Sequence, residues 1–194
     1  MCRVLLNALI ALMAIGPVVT DEASAATKNG ALKKFTETVG GMRFSLMLPA
    51  NFSLIAHKTK ELGTPERKMD YVVFGVPGTN TEPRIVIGVS NGFGNLSLSK
   101  SNLDACVGAT MEPCSHAFSN YKQSQISSVE LDGKLFGAVD WEGRNAEFGA
   151  NQVHACTYLT VSGGRMFKFE AYDPGVKPTQ MAALHKAAKS IDFE

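Results

Sequence analysis

Two glycine-bearing reversals in the second half of the chain, Asp132-Gly133 and Gly163-Gly164, constrain the fold more than any other feature. A two-residue turn of this kind needs positive backbone dihedrals at its centre, which Asp-Gly and Gly-Gly reach at little cost, and it joins antiparallel neighbours. β-rich segments flank both turns: 126–131 and 134–141 around the first, 153–161 and 165–172 around the second. In the last segment Phe167, Phe169 and Ala171 fall on one face, and Lys168, Glu170 and Tyr172 on the other. The chain is thereby committed to an antiparallel sheet.

Earlier segments extend that sheet. Met42, Phe44, Leu46 and Leu48 alternate with Arg43, Ser45 and Met47 before Pro49 ends the run, the pattern of a half-buried strand, and Phe52, Leu54 and Ile55 follow. Residues 71–76 and 84–90 read as two inner strands joined by a longer loop containing Pro77, Gly78, Asn80 and Pro83. Ser101 and Asp104 have the spacing of a capping box, and Leu103, Val107 and Met111 recur at helical intervals. Gly108 and Pro113 are predicted to interrupt this helix, with a second helical piece through Phe118 and Tyr121. Met181, Leu184, Ala188 and Ile191 predict an amphipathic helix over 178–190. Residues 26–40 are polar and read as a short helix or frayed lead-in around Leu32 to Phe35. The order of strands, helix, antiparallel strands and helix fits an α+β fold, a mainly antiparallel sheet sandwiched by helices.

The first 25 residues read as an export signal: Arg3, an apolar run from Val4 to Ile15, the break at Gly16-Pro17, and the small residues Ala23-Ser24-Ala25 before Ala26. Residues 26–194 then form a single domain of 169 residues, long enough to bury a core without depending on disulfides. Arg3, Asp21 and Glu22 lie in the signal, so the remainder carries a net charge of +2. Near-neutral charge without a basic stripe argues against a nucleic-acid partner, and no later apolar run has the length of a transmembrane helix, so integral membrane association is not expected. Three cysteines follow the signal, Cys106, Cys114 and Cys156. In an oxidising periplasm two of them are expected to pair; Cys106 with Cys114, across Gly108 and Pro113, is the favoured bridge over either pairing with Cys156.

At this level the chain resembles the superfamily that contains the PsbP proteins of photosystem II and the Ran-binding Mog proteins. The resemblance covers about residues 42–193. It rests on Phe44-Ser45-Leu46-Met47-Leu48-Pro49, on Val129-Glu130-Leu131-Asp132-Gly133, on the aromatic strand 166–172 and on the closing Ser190-Ile191-Asp192-Phe193. Many relatives carry a Trp soon after the opening proline, where this chain has Phe52. The resemblance implies an α/β/α sandwich used for docking, assembly or adaptor roles; it carries over no partner-binding residue, because function does not travel with a fold.

Gly88-Val89-Ser90-Asn91-Gly92 matches the G-x-S-x-G nucleophile elbow, and Asp173 and His185 follow in the order a serine hydrolase requires. Phe93-Gly94-Asn95-Leu96 opens no helix after it, however, and no upstream glycine-rich segment offers an oxyanion donor. Cys114-x-His116 and His154-x-Cys156 could together supply four zinc or copper ligands if both stretches were extended, although neither spacing is a common one. Cys156 could serve as a thiol nucleophile beside His116 or His57 only in an electropositive, partly open pocket. Asp140, Glu142 and Glu147 surround Trp141, but Asp140 and Glu142 would point away from its indole. Gly92-Phe93-Gly94 lacks the lysine of a phosphate loop, and the methionines are dispersed. No catalytic, metal or cofactor set is therefore assigned. The expectation is a non-enzymatic periplasmic or secreted protein that acts through a protein partner, for example in toxin immunity or assembly, with binding residues on 58–68, 78–83, 90–100 and 141–152. A small-ligand or metal carrier is the alternative, followed by a hydrolase using Ser90.

Overall fold

The computed structural model describes residues 32–62, 68–78, 82–148 and 151–194. The expected signal, 1–25, lies outside the described residues, as do 63–67, 79–81 and 149–150 within three of the expected binding loops.

The chain opens with strand β1 (Leu32–Val39), which pairs antiparallel with β2 (Met42–Pro49) along all eight positions. Gly40 and Gly41 make the turn, with φ of 54° and 73°. The helix or frayed lead-in expected around Leu32 to Phe35 is thus a strand. Gly40-Gly41 is the same reversal signal found later in the chain, and β-branched Thr36, Thr38 and Val39 suit the pairing it enforces. Strands β3 (Ser53–Glu61), β4 (Lys68–Gly75) and β5 (Arg84–Ser90) follow as a meander. Helix α1 spans Leu103–Ala117, then come β6 (Ser119–Gln123), β7 (Ser127–Leu131) and β8 (Lys134–Arg144), with a short 3₁₀ turn at Ala146–Phe148. Strands β9 (Gln152–Ser162) and β10 (Arg165–Pro174), helix α2 (Met181–Lys189) and the two-residue strand β11 (Asp192–Phe193) complete the chain.

These strands form an antiparallel sheet of order β3-β4-β5-β10-β9-β8-β6, with β7 pairing the other half of β8, and a small sheet of order β1-β2-β11. Both predicted reversals are present: Asp132 and Gly133 have φ of 46° and 65°, and Gly163 and Gly164 of 55° and 74°. The large sheet is buried on both sides. One face packs Phe167, Phe169, Phe136 and Ile87 against Phe44, Leu46 and Leu48 of the small sheet and Leu184, Ala187 and Ala188 of α2. The other packs Val139, Trp141, Val153 and Leu159 against Leu103, Val107, Met111 and Cys114 of α1. Helices supply only part of each cover, so the sheet is sandwiched by mixed layers rather than by helices alone.

Helix α1 runs straight through Pro113, contrary to the expected interruption, and the second helical piece is instead strand β6. Loss of one backbone bond at Pro113 is outweighed by the apolar stripe of Leu103, Val107, Met111 and Cys114. The Ser101–Asp104 capping box is also absent: Asn102 occupies the cap position and its side chain instead bonds the preceding loop, accepting from Ser99 N at 2.8 Å. Continuity of the helix corrects the disulfide assignment. Eight residues of helix separate Cys106 from Cys114 by about 12 Å, far beyond the ~7 Å limit for a bridge. Cys106, Cys114 and Cys156 are all buried and none is in a disulfide, and Cys156 points to the face of the sheet opposite Cys114.

Candidate functional site

The hydrolase and metal constellations do not assemble. Ser90 is fully buried on the α1 face, where its hydroxyl has no partner among the described residues, while His185 lies on α2 across the sheet. Asp173 accepts backbone bonds from Thr179 at 2.7 Å and Gln180 at 2.6 Å, pinning the start of α2. The stretch after Ser90 is strapped to the β9–β10 turn: Phe93 N donates to Gly164 O, Gly164 N to Leu96 O and Leu98 N to Val161 O. A Cβ on Gly164 would lie 2.0 Å from Gly94 O, so glycine there serves this close approach rather than a nucleophile elbow. His185 has other company, with Tyr158 Oη 2.9 Å from its Nδ1 and Asp140 Oδ1 3.4 Å from its Nε2. Cys114 and His116 belong to α1 and its end, whereas His154 and Cys156 share the α2 face of β9, so the four proposed ligands stand on opposite sides of the sheet. Among the described residues no three His, Cys, Asp or Glu side chains converge as a metal site. Burial, with Asp140 adding to it, pushes the Cys156 thiol up and keeps it protonated, which is the opposite of an activated nucleophile.

A site does form where α1 ends. Gly143 of β8 has no side chain, and a Cβ there would stand 2.7 Å from Phe118 Cβ; this lets Phe118 lie directly on the sheet. Phe118 meets the Trp141 ring edge-on at 4.8 Å, and Tyr121 stacks at a tilt on the same indole at 5.7 Å. Trp141 is itself held by a bond from Nε1 to Thr157 Oγ1 at 3.1 Å. The chain leaves the helix in an extended conformation at Phe118 and enters β6 through a bulge, since register shifts between Ser119 and Lys122. Asn120, one of two non-glycine residues at positive φ among the described residues (54°), sits in that bulge. Asn favours this conformation more than most residues, and bulges of this type re-aim side chains at the rims of sheets.

The result is an open groove of about 910 Å³ lined by Ser115 to Tyr121 and Arg144 to Ala146. A second hollow of about 320 Å³ shares Asn120, Tyr121 and Arg144 with it and adds Lys122, Glu142 and Gln152. Its walls are tied together. Asn145 Nδ2 donates to Ala117 O at 3.1 Å, Asn145 Oδ1 accepts from Glu147 N at 2.8 Å, and Ser119 Oγ donates to Arg144 O at 3.3 Å.

Charge lies beneath this groove as well as along it. Lys168 and Glu170 are 2% and 1% exposed, with Lys168 Nζ 2.5 Å from Glu170 Oε2, close in distance but off the direction of a hydrogen bond. The Tyr172 hydroxyl donates to the same carboxylate oxygen at 3.2 Å. Burial, reinforced by Glu170, holds the Tyr172 phenol well above its ordinary range. Burial first and Glu170 second push the Cys114 thiol up to about 12, with Lys168 opposing. Tyr121 is raised by burial and then by Cys114 and Glu170, which puts this groove-lining phenol in electrostatic reach of the buried pair. The groove residues carry little local signal: Phe118 and Tyr121 have the spacing of a helix although Tyr121 lies in β6, the Asn120 bulge has no motif, and Arg144 falls within the expected loop 141–152.

No family model matches the chain, and no curated protein sequence matches it. Among solved structures it is similar to the cyanobacterial PsbP protein, CyanoP, of Synechocystis sp. PCC 6803: TM-score 0.55 at 12% identity, covering 89% of this chain and 98% of that one. A protein of Bacteroides thetaiotaomicron VPI-5482 superposes with a TM-score of 0.49 at 12% identity, over 84% of this chain and 48% of that one. LpqN, involved in cell envelope biogenesis of Mycobacterium tuberculosis, gives 0.49 at 11% identity, over 84% and 92%. The chain has a PsbP-like fold, as the resemblance implied, and the likeness extends to architecture alone.

Proposed function

We propose that this protein is exported to the periplasm or beyond it and works by binding a protein partner, without catalysing a reaction, and that the groove at the end of α1 is where the partner docks. The observation that carries the reading is the groove's construction. Aromatic side chains stacked on a buried Trp141, a bulged strand with Asn120 at positive φ and tied walls make a preformed concavity beside exposed Arg144. Rigid aromatic platforms with an arginine at hand are the composition of binding hot spots. Support for a non-catalytic role comes from the separation of Ser90, His185 and Asp173 and from the protonated, buried state of Cys114 and Cys156. The export reading rests on residues 1–25 of the sequence, and no helix among the described residues is long and apolar enough to cross a membrane.

The test is affinity capture from an envelope extract at low salt, using the exported protein and an Arg144→Glu variant. A specific protein retained by the first and lost from the second is expected. Retention of the same proteins by both, or a stoichiometric small molecule in the purified protein with no captured partner, would contradict the reading.

A further inference from the structure

Resting on the reading of the groove as a protein-binding site, we infer that Arg144 selects the partner through a single side-chain carboxylate, an aspartate or glutamate within an extended internal segment. The charges along the groove lead to this chemistry. Lys122 Nζ lies 3.8 Å from Glu142 Oε1, and the other oxygen of Glu142 is 3.6 Å from His154 Nδ1, so Lys122 and Glu142 already face one another. Arg144 differs. Its Nε donates to Gln152 Oε1 at 3.3 Å, which orients the guanidinium, while no described residue takes up its two outer nitrogens. A guanidinium so oriented offers two parallel donors, the geometry that a carboxylate matches with two acceptors. Among the described residues that line the two hollows, Arg144 is the permanently charged cation with open donors, so an anion is called for.

The shape favours a passing chain over a terminus. The two hollows share Asn120, Tyr121 and Arg144 in their walls, so Arg144 stands where they meet rather than at the end of one. A free C-terminal carboxylate would occupy one side and leave the other empty. Along the wall, the Tyr121 hydroxyl donates to Gln123 Oε1 at 2.7 Å, so its ring is fixed before any segment arrives. At the opposite edge of the sheet β3 bulges at Leu54/Ala56, a device that blunts an exposed edge, and carries Lys58 and Lys60 on one side.

The experiment presents the exported protein with two matched libraries of acetylated, amidated nonapeptides, one with a central aspartate and one with a central asparagine, and random flanks. Retention is read by mass spectrometry. The aspartate library is expected to be retained about tenfold more strongly at low salt, as for a charge-assisted bidentate pair. Arg144→Gln should erase that ratio without changing the melting temperature, Arg144→Lys should restore part of it, and an asparagine library with free C-termini should bind no better than the amidated one. NMR amide shifts should move at Ser119 to Lys122 and at Arg144. Equal retention of the two libraries, a ratio that survives Arg144→Gln, stronger binding of free C-termini, or shifts centred on β3 would overturn the inference. Because envelope capture does not depend on which group anchors the partner, a partner captured at the groove alongside a failed library would sink the inference and spare the docking site.

Discussion

Strand β10 faces two different interiors. Toward α2 and the small sheet it sends Phe167, Phe169 and Ala171 into hydrocarbon, with Phe167 edge-on to Phe44 at 5.4 Å. Toward α1 it sends Lys168, Glu170 and Tyr172, every one of them buried. The apolar side needs only shape and volume to be stable. The α1 side buries Lys168 and Glu170 against each other, and it is this side whose aromatic cluster continues outward into the groove. The α2 side thus anchors the fold, and the α1 side carries the aromatic wall of the groove.

Substitutions that separate these two kinds of interior should have the largest effects. Phe167→Ala is expected to cost about 3–5 kcal/mol, and no second substitution on its face should recover that loss. Lys168→Met is expected to cost about 3–5 kcal/mol as well, because it strands the Glu170 carboxylate. The double variant Lys168→Met, Glu170→Leu should recover most of the loss, since hydrophobic pairs of similar volume replace buried ion pairs at little cost. Urea unfolding of the two singles and the double measures this; a double variant as unstable as the sum of its singles would show that the two faces are built alike.

A thiol on each face allows a second comparison. The folded Cys114 thiol, raised by burial and Glu170 to about 12, and the Cys156 thiol, raised by burial and Asp140, both lie above the ordinary value near 9.0. A raised folded value means that stability is complete below the unfolded pKa and falls as pH climbs toward the folded one, by about 1.4 kcal/mol per pH unit for each thiol. Unfolding at pH 8 to 10.5 under reducing conditions should therefore show a fall starting near pH 9. Cys114→Ala and Cys156→Ala should each make that fall shallower by a comparable amount, and the double variant should be the shallowest of the set. A slope that only one of the two thiols controls would mark one face as open to water.

A smaller effect is expected at the junction between the ionic layer and the groove. Gly143→Ala would drive a Cβ to 2.7 Å from Phe118 Cβ. Overpacking of this kind costs about 1–3 kcal/mol, and the displaced Phe118 should also weaken capture of the partner. Retained capture at full strength would detach the aromatic platform from binding.

The sheet was legible in the sequence where turn chemistry is local. Asp132-Gly133 and Gly163-Gly164 placed four strands, and Met181, Leu184 and Ala188 placed α2, because each signal is carried by neighbouring residues. The region around the site was not. Pro113 and Gly108 read as helix breakers, yet the packing of α1 on Val139 and Leu159 keeps the helix intact, a tertiary effect with no local trace. Nor does alternation along β10 say whether Lys168 and Glu170 meet water or each other, since a sheet covered on both sides buries either set. Arg144 and Gln152 are neighbours only because β8 and β9 pair in that register.

The most direct test of the binding account places a photo-crosslinking residue at either edge of the large sheet, at Ser119 in β6 and at Lys58 in β3, and irradiates each exported variant in its native envelope. One discrete protein adduct is expected from position 119, lost when Arg144→Glu is added, and none from position 58. An adduct from position 58 alone, or none from position 119, would contradict it.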